Sequence, residues 1–163
     1  MDQVDVNKLW QNFVDTITNH YFDFDGRVSR ARFWYYILVV FAIGVIVAIV
    51  ASITTHLLST VYSLALLLPN LGMTVRRLHD TDRPGIWVLL GLVPAALFIL
   101  FGLFAVLGGL LGFLLFLFAF VYVLWFVSLI ALAVLIYLCA QPGTPGPNQY
   151  GPPPHDGLAA AMA

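Results

Sequence analysis

The sequence predicts an all-α integral membrane protein, and three observations carry that expectation. Apolar residues make up 61 % of the 163-residue chain and charged residues 9 %, against about 25 % charged in a typical soluble protein. A soluble fold of this size has too little interior to hide such a surface, so lipid must solvate much of it. Long uncharged runs fill most of residues 33–140, each sufficient for a helix across a hydrocarbon core of about 30 Å. All seven Lys and Arg residues fall at or before Arg83, which confines the basic charge to a few short segments.

Residues 1–32 form an N-terminal segment too polar to span. Apolar side chains at Val6, Leu9, Trp10, Phe13, Val14 and Ile17 recur at helical spacing, with Asp5 as the expected N-cap. This amphipathic helix, ending about His20, either lies in the membrane interface or packs on the protein's own polar side; Lys8 is its only basic residue. No apolar signal core occurs in this stretch, so a cleaved signal is not expected. Residues 21–32, Tyr-Phe-Asp-Phe-Asp-Gly-Arg-Val-Ser-Arg-Ala-Arg, read as an extended piece and a turn. Ser29 is the expected cap of a helix starting near Phe33, and Trp34, Tyr35 and Tyr36 fall where an interfacial aromatic belt belongs.

Residues 33–140 are the transmembrane domain. The first span is residues 33–53, about 31 Å at 1.5 Å per residue, and its Gly44 and Ala48 suit close helix contact. After the polar break at residues 52–56 comes a second span, residues 57–75, interrupted by Pro69-Asn70. That proline bends the helix by freeing a carbonyl; alternatively Asn70 lines a cavity. Residues 86–140 carry no charge, and as one helix would reach about 80 Å, so the chain must fold back. The expected reversal is Gly108-Gly109 through Gly112, giving helices at about 87–107, bent at Pro94, and 113–140, four spans in all. In the competing three-helix count, Gly108 and Gly112 make a GxxxG contact within a longer tilted helix. Residues 141–163 are a Pro/Gly-rich tail of turns and polyproline-like backbone, with disorder expected from Gly157 on.

Charge sets the orientation. An Arg at a helix centre costs about 2.5–3.5 kcal/mol on insertion scales, which keeps the island Arg76-Arg77-Leu78-His79-Asp80-Thr81-Asp82-Arg83 outside the hydrocarbon. Two spans separate it from Arg27, Arg30 and Arg32, so both basic clusters share one side, cytoplasmic by the positive-inside rule. Four helices return the tail to that side and leave both termini in the cytoplasm; three send the tail out.

Candidate functional residues therefore gather on the cytoplasmic face: Arg27, Arg30, Arg76, Arg77, His79, Asp80 and Arg83. The first reading is a structural network, in which Arg76 and Arg83 pair with Asp80 at helical spacing and Arg27, Arg30 and Arg32 pair with Asp23, Asp25 or Asp82. The second is an anion site for a lipid headgroup or phosphate, with Arg76, Arg77 and Arg27 as ligands, since guanidinium donates parallel hydrogen bonds. Six Arg against one Lys favours fixed geometry over a diffuse basic patch. The third gathers His79, Asp80 and Asp82 with His20, Asp23 and Asp25 around a metal, or uses His79 as a base oriented by Asp80. No metal-motif spacing, nucleophile elbow, P-loop or dinucleotide pattern supports it, so no metal, cofactor or catalytic residue is expected. A small transporter is the remaining class, hinted at only by Pro69, Asn70 and Pro94, because no charge lies within a predicted span. The lone Cys139 cannot form an internal disulfide and reads as a buried apolar residue. The expected partner is the lipid bilayer, an anionic lipid included; a second copy or another membrane protein is left open, and no nucleic acid is expected.

Three motifs carry a resemblance: Tyr21-Phe22-Asp23-Phe24 with Gly26-Arg27, Ser29-Arg30 and Phe33-Trp34; then Arg76-Arg77-Leu78-His79-Asp80 with Gly85 and Trp87; then Pro142-Gly143-Thr144 and Asn148-Gln149-Tyr150-Gly151-Pro152. Together they resemble DUF805, a family of small bacterial membrane proteins of unknown function. Asp25, Asp82 and Pro84 stand where the family commonly has a small polar residue, Gly and Ser, and the apolar stretch after Trp87 is longer than usual. The resemblance implies a bacterial inner-membrane location and no particular activity.

Overall fold

The computed structural model describes residues 6–93 and 110–154. Its helices are α1 (Val6–Asn19), α2 (Arg30–Ile53), α3 (Leu57–Asp80), a 3-10 helix (Gly85–Leu92) and α4 (Leu110–Ala140). The described residues contain no strand beyond a single antiparallel bridge, Asn148 to Gly151. Three helical segments are long and apolar enough to cross a membrane: Arg30–Ile53, Leu57–Asp80 and Phe120–Ala140. The chain divides into two compact units, Met1–Gly85 with Gln141–Ala163, and Ile86–Ala140.

In the first unit α2 and α3 form a helical hairpin. Ser29 caps α2, its Oγ accepting from the Arg32 amide at 3.2 Å, so the helix begins at Arg30, three residues before the expected start. Gly44 admits the Tyr62 ring, which would stand 3.5 Å from a Cβ there, and the Tyr62 hydroxyl donates to the Val40 carbonyl at 2.6 Å. Ala48 stays exposed, so only half of the small-residue pair serves this contact. Tyr36 departs from the expected belt: it is fully buried and donates to Asn70 Oδ1 at 2.9 Å. Asn70 is thereby engaged between the two helices.

Pro69 lies inside α3 and cannot donate to the carbonyl four residues earlier. That carbonyl, Ala65, accepts instead from the Tyr21 hydroxyl at 2.6 Å. The segment before α2 thus repairs the defect the proline makes. Close approach continues one turn on, where a Cβ on Gly72 would meet the Asp23 carbonyl oxygen at 2.7 Å.

Helix α1 packs on α2 and α3 through Asn12, Phe13 and Thr16, so packing on the protein's own side is realised. Asn12 donates to the Arg32 carbonyl at 2.9 Å and accepts from Arg32 Nε at 2.9 Å. The buried face is rotated from the expected apolar one: Val6 and Trp10 remain 73 % and 54 % exposed. Asp5 lies outside the described residues.

Helix α3 continues to Asp80, five residues beyond the expected end at Val75. The charged island is therefore the last turn of a helix followed by a turn, rather than a loop. Helices end where partners for the last carbonyls are found, and here Thr81 Oγ1, the Arg83 amide and the tail supply them. Asp82 takes a left-handed φ of 57°, a conformation that suits the glycine common at this position in the resembled family.

From Gly85 on, and so at the start of the second unit, the chain forms a 3-10 helix rather than the α-helix expected from Trp87. Leu135 approaches Gly91, its Cδ2 standing 3.7 Å from a Cβ placed there. Helix α4 begins at Leu110 rather than Phe113 and includes Gly112. Pro94, the rest of the expected third span and the Gly108-Gly109 reversal lie outside the described residues, as does the tail from His155.

Candidate functional site: a buried arginine–aspartate clamp

The last turn of α3 presents Arg77 and Asp80 to the segment before α2 and to the tail. Arg27 reaches Asp80 Oδ1 with Nε at 3.0 Å and Nη2 at 2.9 Å; Arg77 Nη1 takes Oδ2. The side chains of Arg27, Arg77 and Asp80 are 1 %, 0 % and 5 % exposed. Removing such charges from water costs several kcal/mol per ion, so the remaining donors must be satisfied. They are satisfied by backbone. Arg27 also donates to the carbonyls of Thr144 at 2.7 Å, Gly146 at 2.8 Å and Gly151 at 3.3 Å, and Arg77 to those of Val28 at 3.4 Å and Gln141.

The tail is held as firmly in return. The Thr144 amide donates to the Asp80 carbonyl at 2.8 Å, and the Val28 amide to the Arg76 carbonyl at 3.1 Å. Asn148 Nδ2 donates to the His79 carbonyl at 2.8 Å, so α3's terminal carbonyls are capped by side chains and amides from afar. The His79 ring stacks on Tyr150 with centroids 3.8 Å apart and planes 3° off parallel. Its Nδ1 faces the Gly26 carbonyl at 3.2 Å; a carbonyl only accepts, so Nδ1 carries the proton and donates.

A second polar cluster joins α1 to the bundle. Arg76, expected to pair with Asp80, turns instead to Asp23, with Nη1 3.3 Å from Oδ2, while its Nε is buried without a hydrogen-bond partner. His20 Nδ1 lies 2.8 Å from the same Asp23 oxygen, and its Nε2 3.7 Å from Asp15. Arg32 Nη2 donates to Asp15. Burial pushes the Asp23 carboxyl upward, but hydrogen bonds from His20 and the Asp25 amide and the Arg76 charge outweigh it, holding Asp23 below the usual carboxylate range. Asp15 is likewise held low, chiefly by the Asn19 side-chain hydrogen bond and by Arg32 and His20 against an opposing burial.

Of the seven candidate residues, Arg27, Arg77 and Asp80 converge and His79 flanks them. Arg30 lines a groove of about 350 Å³ beside them. Arg76 belongs to the second cluster, and Arg83, expected near Asp80, has its Nη1 buried without a hydrogen-bond partner. No three His, Cys, Asp or Glu side chains gather as metal ligands among the described residues: His79 faces Gly26 and Tyr150 while Asp80 faces two arginines. Cys139, the one cysteine of the chain, is buried. Asp15, Asn12 and Gly143 escape the sequence reading as network members. The third motif signals Gly143 with Thr144, Asn148 and Tyr150, whereas nothing local in the sequence marks Asn12 or Asp15.

Comparison with known proteins agrees with this arrangement of motifs. The family described as "Protein of unknown function (DUF805)" matches residues 21–152, from Tyr21 to Pro152. The chain is 30 % identical to the inner membrane protein YhaI of Escherichia coli over 145 residues, covering 87 % of this chain and 94 % of the relative. It is 28 % identical to the inner membrane protein YhaH of the same organism, covering 85 % and 92 %, and 34 % identical to its uncharacterized protein YiiR, covering 83 % and 88 %. No solved structure matches significantly. With the family pattern running through all three segments that meet at Asp80, the chain belongs to the DUF805 family.

Proposed function

We propose that the protein is a multi-pass component of the bacterial inner membrane whose cytoplasmic end is a structural clamp, tying the N-terminal segment, the end of α3 and the tail into one rigid face. A structural or regulatory membrane component, rather than an enzyme, is the role this favours. One observation carries the reading: both Asp80 carboxylate oxygens are taken by buried guanidiniums whose other donors go to backbone carbonyls of residues 28 and 141–151. Arginines bound in this way serve as fixed staples; they have little left to offer a ligand. The exposed Val6 and Trp10 side of α1 would lie against the membrane interface.

The same contacts support the four-helix topology. Gly143 and Thr144 touch Asp80, so the chain leaves the clamp after α3 and returns to it at Gln141. A chain that leaves and returns to one side makes an even number of crossings. With α2 and α3 the total is even, and both termini fall on the basic, cytoplasmic side. A reporter active only in the periplasm, fused after Ala163, should be silent; activity there would overturn the topology.

A further inference from the structure

The link between α1 and α2 runs along α3, and its contacts fix its depth. Arg27 meets Asp80, the last residue of α3, at 2.9 Å. The Asp23 carbonyl oxygen lies 2.7 Å from where a Cβ on Gly72 would stand, and the Tyr21 hydroxyl donates to the Ala65 carbonyl at 2.6 Å. From Arg27 back to Tyr21 the chain therefore climbs from the charged end of α3 toward its middle. Asp80 and Ala65 are separated by about 22 Å of helix, at 1.5 Å per residue.

Charge marks where the hydrocarbon begins. Arg76 and the residues after it stay outside, so the boundary lies at about the level of Val75. Gly72 stands about 5 Å inside that level and Ala65 about 15 Å, near the midplane of a core of about 30 Å. The backbone of residues 21–24 thus sits just within the boundary, while the Tyr21 ring reaches deeper. The polar side chains of this stretch turn away from lipid. The Asp23 carboxylate goes to Arg76 and His20, and the Tyr21 hydroxyl serves a carbonyl that no water reaches in hydrocarbon. What faces outward is aromatic. Phe22 is 71 % exposed and Phe24 36 %; the Phe24 ring stands 4.0 Å from the same Gly72 position, and the Phe22 ring packs on Tyr21 with centroids 4.8 Å apart. A backbone about 5 Å inside the boundary with its apolar side chains outward has the depth of segments that bury an apolar face among lipid chains.

We infer that Tyr21, Phe22 and Phe24 form an aromatic anchor set among the acyl chains of the cytoplasmic leaflet, holding the end of α1 in the membrane. The occupant of this face is lipid hydrocarbon. The inference rests on the proposed topology for the name of the leaflet; the depth follows from α3 alone.

Spin labels in vesicles of phosphatidylethanolamine and phosphatidylglycerol test it. Phe22→Cys is labelled in the full chain carrying Cys139→Ala, with two references in the same background: Phe41→Cys on the exposed face of α2 and Lys8→Cys on the exposed face of α1. Relaxation by oxygen, which concentrates in hydrocarbon, is compared with relaxation by a water-soluble nickel chelate. The Phe22 label should meet oxygen more often than nickel, as the Phe41 label does, and the Lys8 label should show the reverse. A Phe22 label reached mainly by nickel stands in water and overturns the inference; one reached by neither reagent is covered by protein and overturns it as well. If labelling disturbs the fold, the unmodified protein decides, photolabelled in vesicles by a phospholipid with a diazirine in its acyl chain. Adducts should fall on residues 21–24 as well as on α2, and adducts on α2 alone would overturn the anchor. A Phe22 label in water beside a protease-resistant tail sinks this inference only, whereas a tail cleaved freely in wild type sinks the clamp.

Discussion

A Cβ on Gly143 would overlap Oδ2 of Asp80 and stand 2.7 Å from its Cγ: the tail backbone rests directly on the carboxylate. No side chain fits between them, so the clamp closes only over glycine.

Gly143→Ala should therefore loosen the tail. The methyl group must displace either the tail or a carboxylate held by two arginines, and overpacking of this kind costs about 1–3 kcal/mol. Gly146, with open space around its Cβ position, supplies the control. Thermal unfolding in detergent should show a lower midpoint for Gly143→Ala and little change for Gly146→Ala.

Arg27→Lys should fail as a conservative change. Arg27 spreads its donors over Asp80 and three tail carbonyls, and an ammonium cannot reproduce that planar fork. A loss of about 2–4 kcal/mol is expected, close to that of breaking a buried pair. Denaturant titration of the two proteins checks it; equal midpoints would speak against the clamp's geometry.

The proline in α3 offers a double-mutant cycle. Tyr21→Phe strands the Ala65 carbonyl and should cost about 1 kcal/mol. In a Pro69→Ala background the helix supplies its own donor to Ala65, so the same change should cost little. Additive effects would mean that Tyr21 does not serve the carbonyl freed by Pro69.

Asp15 and Asp23 make the docking of α1 sensitive to acid. Both carboxyls are held below their ordinary value of 3.8, so the folded state binds fewer protons than the unfolded one at that pH. Their contribution is fully present above 3.8 and is lost as pH falls through the lower folded values. Hydrogen exchange of α1 amides should accelerate over that acid window in wild type, and less so in Asp23→Asn.

How much of this was legible in the sequence depends on the range of each interaction. Ser29 was readable as a cap because its partner, the Arg32 amide, is three residues away, and the three helical segments long and apolar enough to cross a membrane were readable from apolar length alone. The end of α3 was not. Arg77 and Asp80 looked like water-seeking loop residues, since what buries them, Arg27 and the tail, is more than fifty residues off in sequence. Local spacing likewise favoured Arg76 and Arg83 as partners of Asp80, whereas the structure turns Arg76 to Asp23. Tyr36 read as an interfacial aromatic because nothing nearby announces Asn70 as its acceptor. Gly143 belonged visibly to a motif, yet its reason, the carboxylate beneath it, appears only in three dimensions.

The clamp itself is tested most directly by protease access to residues 141–154 in sided membranes. In inverted vesicles, which present the cytoplasmic face outward, the wild-type tail should resist cleavage while Asp80→Asn, leaving two buried guanidiniums without their carboxylate, should be cut. In spheroplasts neither protein should be cut. Equal cleavage of the two proteins in inverted vesicles, or any cleavage of the tail from the periplasmic side, would contradict the account.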